Sequence, residues 1–505
     1  MKRYKLFTIG CLMAAISLPA CIDDDSDLGG RELPELSIAG EMGENMPLVE
    51  FNLGDDCVIN PEISFKGDES TLTYEWSLST YDETNGKNPD LKIVSEERNL
   101  NYKFESGGTY YAHLVVTDGA VSDIQEYRIN INRTYERGYI ILSNTESGEG
   151  NMGFIKTLTQ SEIDAGVKEI VQQHCLERMN PDVKPSKMVG SFVKTINLWD
   201  GSQSSTLNRL LVSDQDKCYF IDPNNFTILT TVEYASVVPG FKATQMFSDF
   251  YPYLYDASSK KYVHLEAQFL TPFVKENYKT HQTDGFYVSY LNAWGSVSPI
   301  IMDVDYETSE ISEPFAYAPG GFYKTGTMFK GEDIVTVYAN GESYPDPRRY
   351  VITRSKENPF QMQLHTMDSF GSLNKLSVDD FEVSDEYAIP YHQSMPISAT
   401  YKRHFYKEGN CVYVLVDGNK IPFAKKNLPA IRFAETEEVT FITTDILTEQ
   451  LYVGTFDSQT KKGNFYVYDN KEVRADKTLS AADAKESHKG CADRIVDIFY
   501  KPSIK

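Results

Sequence analysis

The chain is 505 residues long, 41% hydrophobic and 24% charged, ordinary globular proportions with room for two or more domains. Its formal net charge of −24 argues against nucleic acid, whose phosphates demand basic surface, and against polybasic docking on anionic lipid headgroups. Cys57, Cys175, Cys218, Cys411 and Cys491 are too widely spaced for a CxxC metal site or a disulfide framework. They read as buried small hydrophobes, with their redox state open.

The first element, residues 1–20, has the layout of an export signal. Lys2, Arg3 and Lys5 form a basic start, and Leu6 to Leu18 is mostly apolar. That run is shorter than the roughly 20 apolar residues that span a bilayer and has the length of a cleaved signal core. No later segment approaches spanning length. Leu18-Pro19-Ala20-Cys21 closes it on a cysteine and resembles a bacterial lipobox. The resemblance implies that Cys21 is acylated, becomes the mature N-terminus and holds the chain to a membrane by lipid alone. Losing Lys2, Arg3 and Lys5 would leave 46 basic against 73 acidic residues, a balance of −27.

Residues 21–35 read as an acidic tether containing Gly29-Gly30, extended by like-charge repulsion. Asp23, Asp24 and Asp25 directly follow Ile22. This run resembles the surface-export signal of lipoproteins in the bacterial phylum that uses SusC/SusD-type importers, which implies the outer face of the outer membrane.

From 36 to 134 the pattern is one of short strands. Leu72, Tyr74, Trp76 and Leu78 alternate on one face. Gly107-Gly108 turns the chain into a strand over Thr109 to Asp118, and Ile124 to Ile131 supplies another. Several short strands with turns between them indicate a β-sandwich. Tyr74-Glu75-Trp76 and Gly108-Thr109-Tyr110-Tyr111-Ala112-His113-Leu114-Val115-Val116-Thr117-Asp118 resemble the PKD family, an immunoglobulin-like sandwich. The resemblance implies a spacer or interaction module, with Trp76 between the sheets. His113 stands in a strand with no metal partner in view.

In residues 138–505 strands follow one another, among them Tyr139–Ser143, Leu210–Ser213, Ile334–Tyr338, Val412–Val416, Leu451–Thr455 and Ile495–Tyr500. Polar turns such as Asp222-Pro223-Asn224-Asn225 separate them, and strands ending in Tyr-Asp recur. Propeller blades run about 40–50 residues, so the 368 residues fit seven blades ahead of eight. The predicted fold class is therefore all-β, an immunoglobulin-like sandwich followed by a β-propeller. The strand at Tyr139 is expected to pair with the last blade and close the ring. Ser161 to Val171 reads as a helical insertion, with Ile163, Val167, Ile170 and Val171 on one face.

Catalytic motifs are missing: no HExxH, no GxSxG elbow, no P-loop and no EF-hand loop. Asp214-Gln215-Asp216-Lys217 lacks the distal Glu of a calcium loop. No catalytic residue, metal or cofactor is assigned, and the chain is read as a non-enzyme. Two groups could bind a ligand. Trp199, Trp294, Tyr251 and Tyr253 lie near turn signals, where rings can stack on sugar faces or peptide side chains, although blade packing is the commoner role of such rings. Arg348 and Arg349, with Arg354 and Lys356 beyond, could receive a carboxylate or catecholate, or could guard a solvated hairpin edge. Alternation sets Arg348 and Tyr350 on one face and Arg349 on the other.

Taken together, the lipobox, sandwich and propeller-like remainder resemble the PKD-like lipoproteins, which implies an accessory of a TonB-dependent SusC/SusD-type importer. The expected role is non-catalytic capture of an oligosaccharide, peptide or siderophore. Two alternatives stand: a propeller glycoside hydrolase or other surface hydrolase, and a structural subunit of the import complex without a ligand of its own.

Overall fold

The computed structural model describes residues 33–39, 46–52, 56–80, 91–104, 107–132, 135–199, 204–236, 238–248, 252–266, 273–275, 284–293, 296–314, 322–339, 348–368, 374–398, 400–416, 418–445 and 447–502. Cys21, Asp23, Asp24, Asp25, Tyr251 and Trp294 lie outside the described residues. The chain divides into two compact units, Met1–Ile131 and Asn132–Lys505. Both are built almost wholly of strands.

In the first unit, alternation of apolar and polar residues sets one face of each strand inward. A five-stranded sheet has the spatial order Leu48–Asn52, Ser122–Asn132, Gly108–Thr117, Thr73–Thr80 and Lys92–Ser95, antiparallel from Ser122–Asn132 onward. Two further pairs, Leu36–Ile38 with Ile63–Phe65 and Cys57–Ile59 with Leu100–Tyr102, share its core. Trp76, Leu114, Val116 and Ile129 fill that core, and Trp76 is fully buried. Its indole N–H donates to the Glu97 carbonyl at 3.0 Å, so the buried ring keeps its one polar group satisfied. His113, on the opposite face, pairs with Glu126 across the strand at 3.0 Å.

The second unit contains, among the described residues, seven four-stranded antiparallel sheets, a propeller-type arrangement. Six are simple meanders in chain order, beginning with Met188–Trp199, Gln245–Ser248, Gly285–Ala293, Glu332–Ala339, Ile397–Ser398 and Glu437–Asp445. The remaining sheet is composite. Gly138–Asn144, Gly150–Lys156 and Val171–Gln172 come from its N-terminal side, and Arg494–Lys501 from its C-terminal end. Tyr139 pairs with Tyr500 and Ile141 with Ile498, so the two ends of the unit are joined by a hydrogen-bonded ladder. The strand Arg494–Lys501 also packs against Met188–Trp199 on one side and Glu437–Asp445 on the other. It thus forms the inner edge of the composite sheet.

Hairpins are closed by a repeated device. Asp214, Asp256, Asp305, Asp445 and Asp457 end their strands, and each carboxylate accepts backbone N–H groups two or three residues on. Such Asx turns satisfy donors that the ladder leaves unpaired. Part of the acidic excess therefore has a local structural role.

Ser161 to Val171 is not a continuous helix. Only Gln160–Asp164 is helical, started by Thr159 and Glu162, whose side chains and backbone N–H groups cap one another. Gly166 at φ +78° ends it, with Gly166 N–H donating to Ile163 and Val167 N–H to Glu162, a Schellman closure. Ile163 is 52% exposed, and Val171 leaves the helix face to pair with Ile155 as a strand. The apolar spacing that suggested one long helix is divided between a single turn and a strand.

One group reports on the join between the composite sheet and its neighbour. Asp497, on the inner strand, accepts from both the N–H and the hydroxyl of Ser191 at 2.6 Å. Burial raises its carboxyl to about 6, outweighing those bonds. A carboxyl raised on folding adds stability that is complete below the unfolded pKa near 4 and lost as pH rises through 6. Asp497→Asn removes this dependence. Relative to the variant, the parent should lose about 2 kcal/mol between pH 4 and pH 7, read from urea melts at both pH values. Parallel curves for parent and variant would refute the assignment.

Candidate functional site

The two ends of the second unit meet at a cleft of about 650 Å³, lined by residues of the composite sheet and of the sheet that begins at Glu437. Strand alternation places Glu486 and His488 on one face of Glu486–Ala492. Phe465 lies opposite His488 in register and stacks on the imidazole, with centroids 5.4 Å apart and planes at 17°. Tyr139 stands edge-on to Phe465, Tyr452 and Tyr500 at 4.9, 5.6 and 5.1 Å. Its hydroxyl donates to Glu486 Oε1 at 3.2 Å.

The imidazole is held between two acids. Nδ1 meets the Glu169 carboxylate, and Nε2 lies 3.6 Å from Glu486 Oε2. Burial pulls the His488 pKa down, but the facing Glu486 and Glu169 carboxylates win and hold it above its ordinary value. The same contact with His488, against burial, holds Glu486 below the usual carboxylate range. Burial and the nearby Glu486 charge raise the Tyr139 phenol, which therefore stays protonated. Lys156 is matched as well, 2.7 Å from Glu162.

Glu169 reaches His488 because the segment after Gly166 is tied down. The Gln173 amide donates to the Cys491 carbonyl and accepts from Asn151 Nδ2 at 2.7 Å. The arrangement can position a ligand against tyrosine rings. Lys156 is engaged with Glu162, and His488 with Glu169 and Glu486, whereas Lys168 is exposed, with no ion pair among the described residues. No group of three or more His, Cys, Asp or Glu able to hold a metal ion occurs among the described residues.

No protein-family model matches the chain, and no curated protein matches it. Solved structures of similar course include a quinonprotein alcohol dehydrogenase-like protein from Bacteroides thetaiotaomicron, at 12% identity and a TM-score of 0.42, covering 90% of this chain and 96% of that one. An apocarotenoid oxygenase mutant of Synechocystis aligns at 8% identity and a TM-score of 0.28, covering 89% of this chain and 97% of that one. The cobalt-substituted oxygenase aligns at 7% and 0.26, covering 94% and 97%. The propeller-type arrangement rests on the strand pairing above, not on these distant likenesses.

The residues singled out in the sequence lie elsewhere, and the structure does not bring them together. Tyr253 is buried in Pro252–Asp256 with its ring 6.2 Å from Tyr262, a packing position. Trp199 ends its strand opposite Ser204. Arg349 is only 4% exposed and bridges to Glu313 of the preceding sheet at 2.5 Å, which makes it a tie between sheets. Arg348, on the opposite face, is half-buried and pairs in register with Asp368. Arg354 and Lys356 both meet Asp333, at 2.9 and 3.9 Å. The basic stretch is thus neutralised locally at Arg349, Arg354 and Lys356.

Asp214 is likewise structural. It accepts from the N–H groups of Asp216, Lys217 and Ser186 and from the Tyr219 hydroxyl, all at 2.8–2.9 Å. The five cysteines beyond the signal are buried, unpaired thiols, and burial raises Cys57, Cys175 and Cys491 to about 12. Sequence reasoning passed over Tyr139, Glu169, Tyr452, Glu486, His488 and Tyr500 as a group. One local signal was present: Glu486-Ser487-His488 sets an acid and an imidazole on one strand face.

Proposed function

We propose that this chain is a lipid-anchored protein of the outer membrane, displayed on the cell surface, that captures a small ligand for a SusC/SusD-type importer without altering it. Location is carried by Leu18-Pro19-Ala20-Cys21 and the Asp23-Asp24-Asp25 run that follows. The first unit is read as a PKD-like sandwich that acts as a spacer. The second is read as a seven-bladed β-propeller closed by Arg494–Lys501, a reading supported by the seven four-stranded sheets.

The observation that carries capture over cleavage is the state of the charged groups in the seam cleft. A general base needs a free lone pair, and a general acid a proton it can release near neutral pH. His488 is clamped between Glu169 and Glu486, and Glu486 is held ionised and hydrogen-bonded. A cleft of about 650 Å³ is within the range that encloses small ligands.

Protease treatment of intact cells, followed by blotting, tests the location. The parent should be degraded before lysis, and Cys21→Ala should leave the membrane fraction. A parent chain protected until lysis would remove the surface assignment. Co-purification with an importer from detergent extracts tests the partner.

A further inference from the structure

We infer that the seam cleft takes an uncharged, hydroxyl-rich ring ligand, that is, one or more sugar units of a neutral oligosaccharide. The inference rests on the ligand-holding reading above and narrows it to one chemical class. The charged groups at the cleft balance: Lys156, Lys168 and His488 against Glu162, Glu169 and Glu486. Lys156 and His488 sit in direct ion pairs, and Lys168 is exposed, with no ion pair of its own among the described residues. A phosphate, carboxylate or anionic chelate entering here would have to break a formed pair to gain Lys156 or His488, and would otherwise meet only the exposed, solvated Lys168 of the lining cations. A cationic peptide side chain would have to do the same to gain a carboxylate. Breaking a desolvated pair leaves its other member unpaired, which is costly.

Lys168 apart, what remains unengaged is neutral. Among the described residues, the Thr157 hydroxyl, the Gln450 amide and the Tyr500 phenol line the cleft, half-buried, with no hydrogen-bond partner in the protein. These groups both donate and accept, as sugar hydroxyls do. Tyr500 adds a ring that packs edge-on to Tyr139, a platform for the apolar face of a pyranose. Ile155 and Leu158 supply apolar wall beside it. A site with all but one of its charges engaged, free amphoteric groups and an aromatic wall suits a ligand that is polar all round and carries no charge.

The test uses the full-length chain, purified in detergent, against a panel of neutral oligosaccharides, acidic oligosaccharides, peptides and ferric siderophores by calorimetry. A neutral oligosaccharide should bind. Tyr500→Ala and Gln450→Ala should each raise Kd about tenfold, while melting temperature stays within a few degrees of the parent. Phe360→Ala, at an exposed residue of a separate cleft of about 470 Å³, should leave Kd unchanged and serves as the control. Binding only of peptides, siderophores or acidic glycans would overturn the ligand class and leave the capture reading standing. Neutral-sugar binding that is indifferent to both cleft variants would overturn the site. No binding by any panel member would overturn both.

Discussion

Ile498→Asp should abolish the cooperative unfolding transition of the second unit, or lower its stability by about 5 kcal/mol or more. Ile498 is 3% exposed, pairs with Ile141 in register and packs among Tyr139, Phe465 and Ile495. Two costs add. Removing a buried aliphatic side chain forfeits about 2–4 kcal/mol of burial and packing. Placing a carboxylate in that apolar site costs several more, because its neighbours in the cluster are aliphatic and aromatic. Typical domains have only about 5–15 kcal/mol to lose. The location magnifies the effect, since this strand is the only C-terminal piece of the composite sheet and carries the ladder that joins the two ends. Urea unfolding followed by far-ultraviolet circular dichroism reads the loss. Leu447→Asp, at a hairpin residue 96% exposed, should leave the transition within about 0.5 kcal/mol and shows that charge alone is not the cause. An unchanged midpoint for Ile498→Asp would mean that the second unit does not depend on this strand.

The closing strand is also where sequence and structure agree best. Ile495 to Tyr500 and Tyr139 to Ser143 were readable as strands because β-branched and aromatic residues alternate and polar turns flank them. That they pair with each other follows from a general need, since either strand left alone would expose an unpaired edge. The segment 161–171 was misread because helical spacing is a statement about faces, and Gly166 interrupts the face at a point that periodicity does not weigh. The cleft was harder. Tyr139, Glu169 and His488 meet across more than 300 residues of sequence, and only strand pairing between the two ends brings them together. Trp199 and Tyr253 stand out only as aromatics near turns, and local spacing carries no information on which turns come together in the fold. The arginines show the converse. Arg348-Arg349 is conspicuous in an acidic chain, yet the acid that neutralises Arg349 is Glu313, on a neighbouring sheet and invisible from local spacing.

A second expected result concerns a carboxylate that helps hold one sheet together. Glu437→Ala should destabilise the second unit by about 3–5 kcal/mol, and Glu437→Gln by about 1 kcal/mol. Glu437 Oε2 accepts from the Thr455 hydroxyl at 2.7 Å, the Tyr466 phenol at 3.0 Å and the Asn464 amide at 3.2 Å. All three donors are buried, so alanine would strand them, whereas glutamine retains an acceptor oxygen and loses only the charge. Burial, reinforced by the nearby carboxylate, raises the Tyr466 phenol and keeps its proton available for this bond. The position recurs two sheets earlier. Glu332 receives the Thr353 hydroxyl and lies 3.3 Å from His365 Nε2, and both acids stand two residues before a bulge in their strand, at Ile334 and at Val439. A bulge leaves ladder groups unpaired and twists the strand, so a neighbouring acceptor that gathers side-chain donors from the next two strands restores rigidity where the ladder is weakest. Glu332 gathers two such side chains where Glu437 gathers three, and His365 is buried with its pKa held low, chiefly by desolvation. Glu332→Ala should therefore cost less than Glu437→Ala. Urea midpoints of the three variants, compared at pH 7, check the ranking. Equal losses for Glu437→Ala and Glu437→Gln would show that charge, and not the stranding of buried donors, sets the cost.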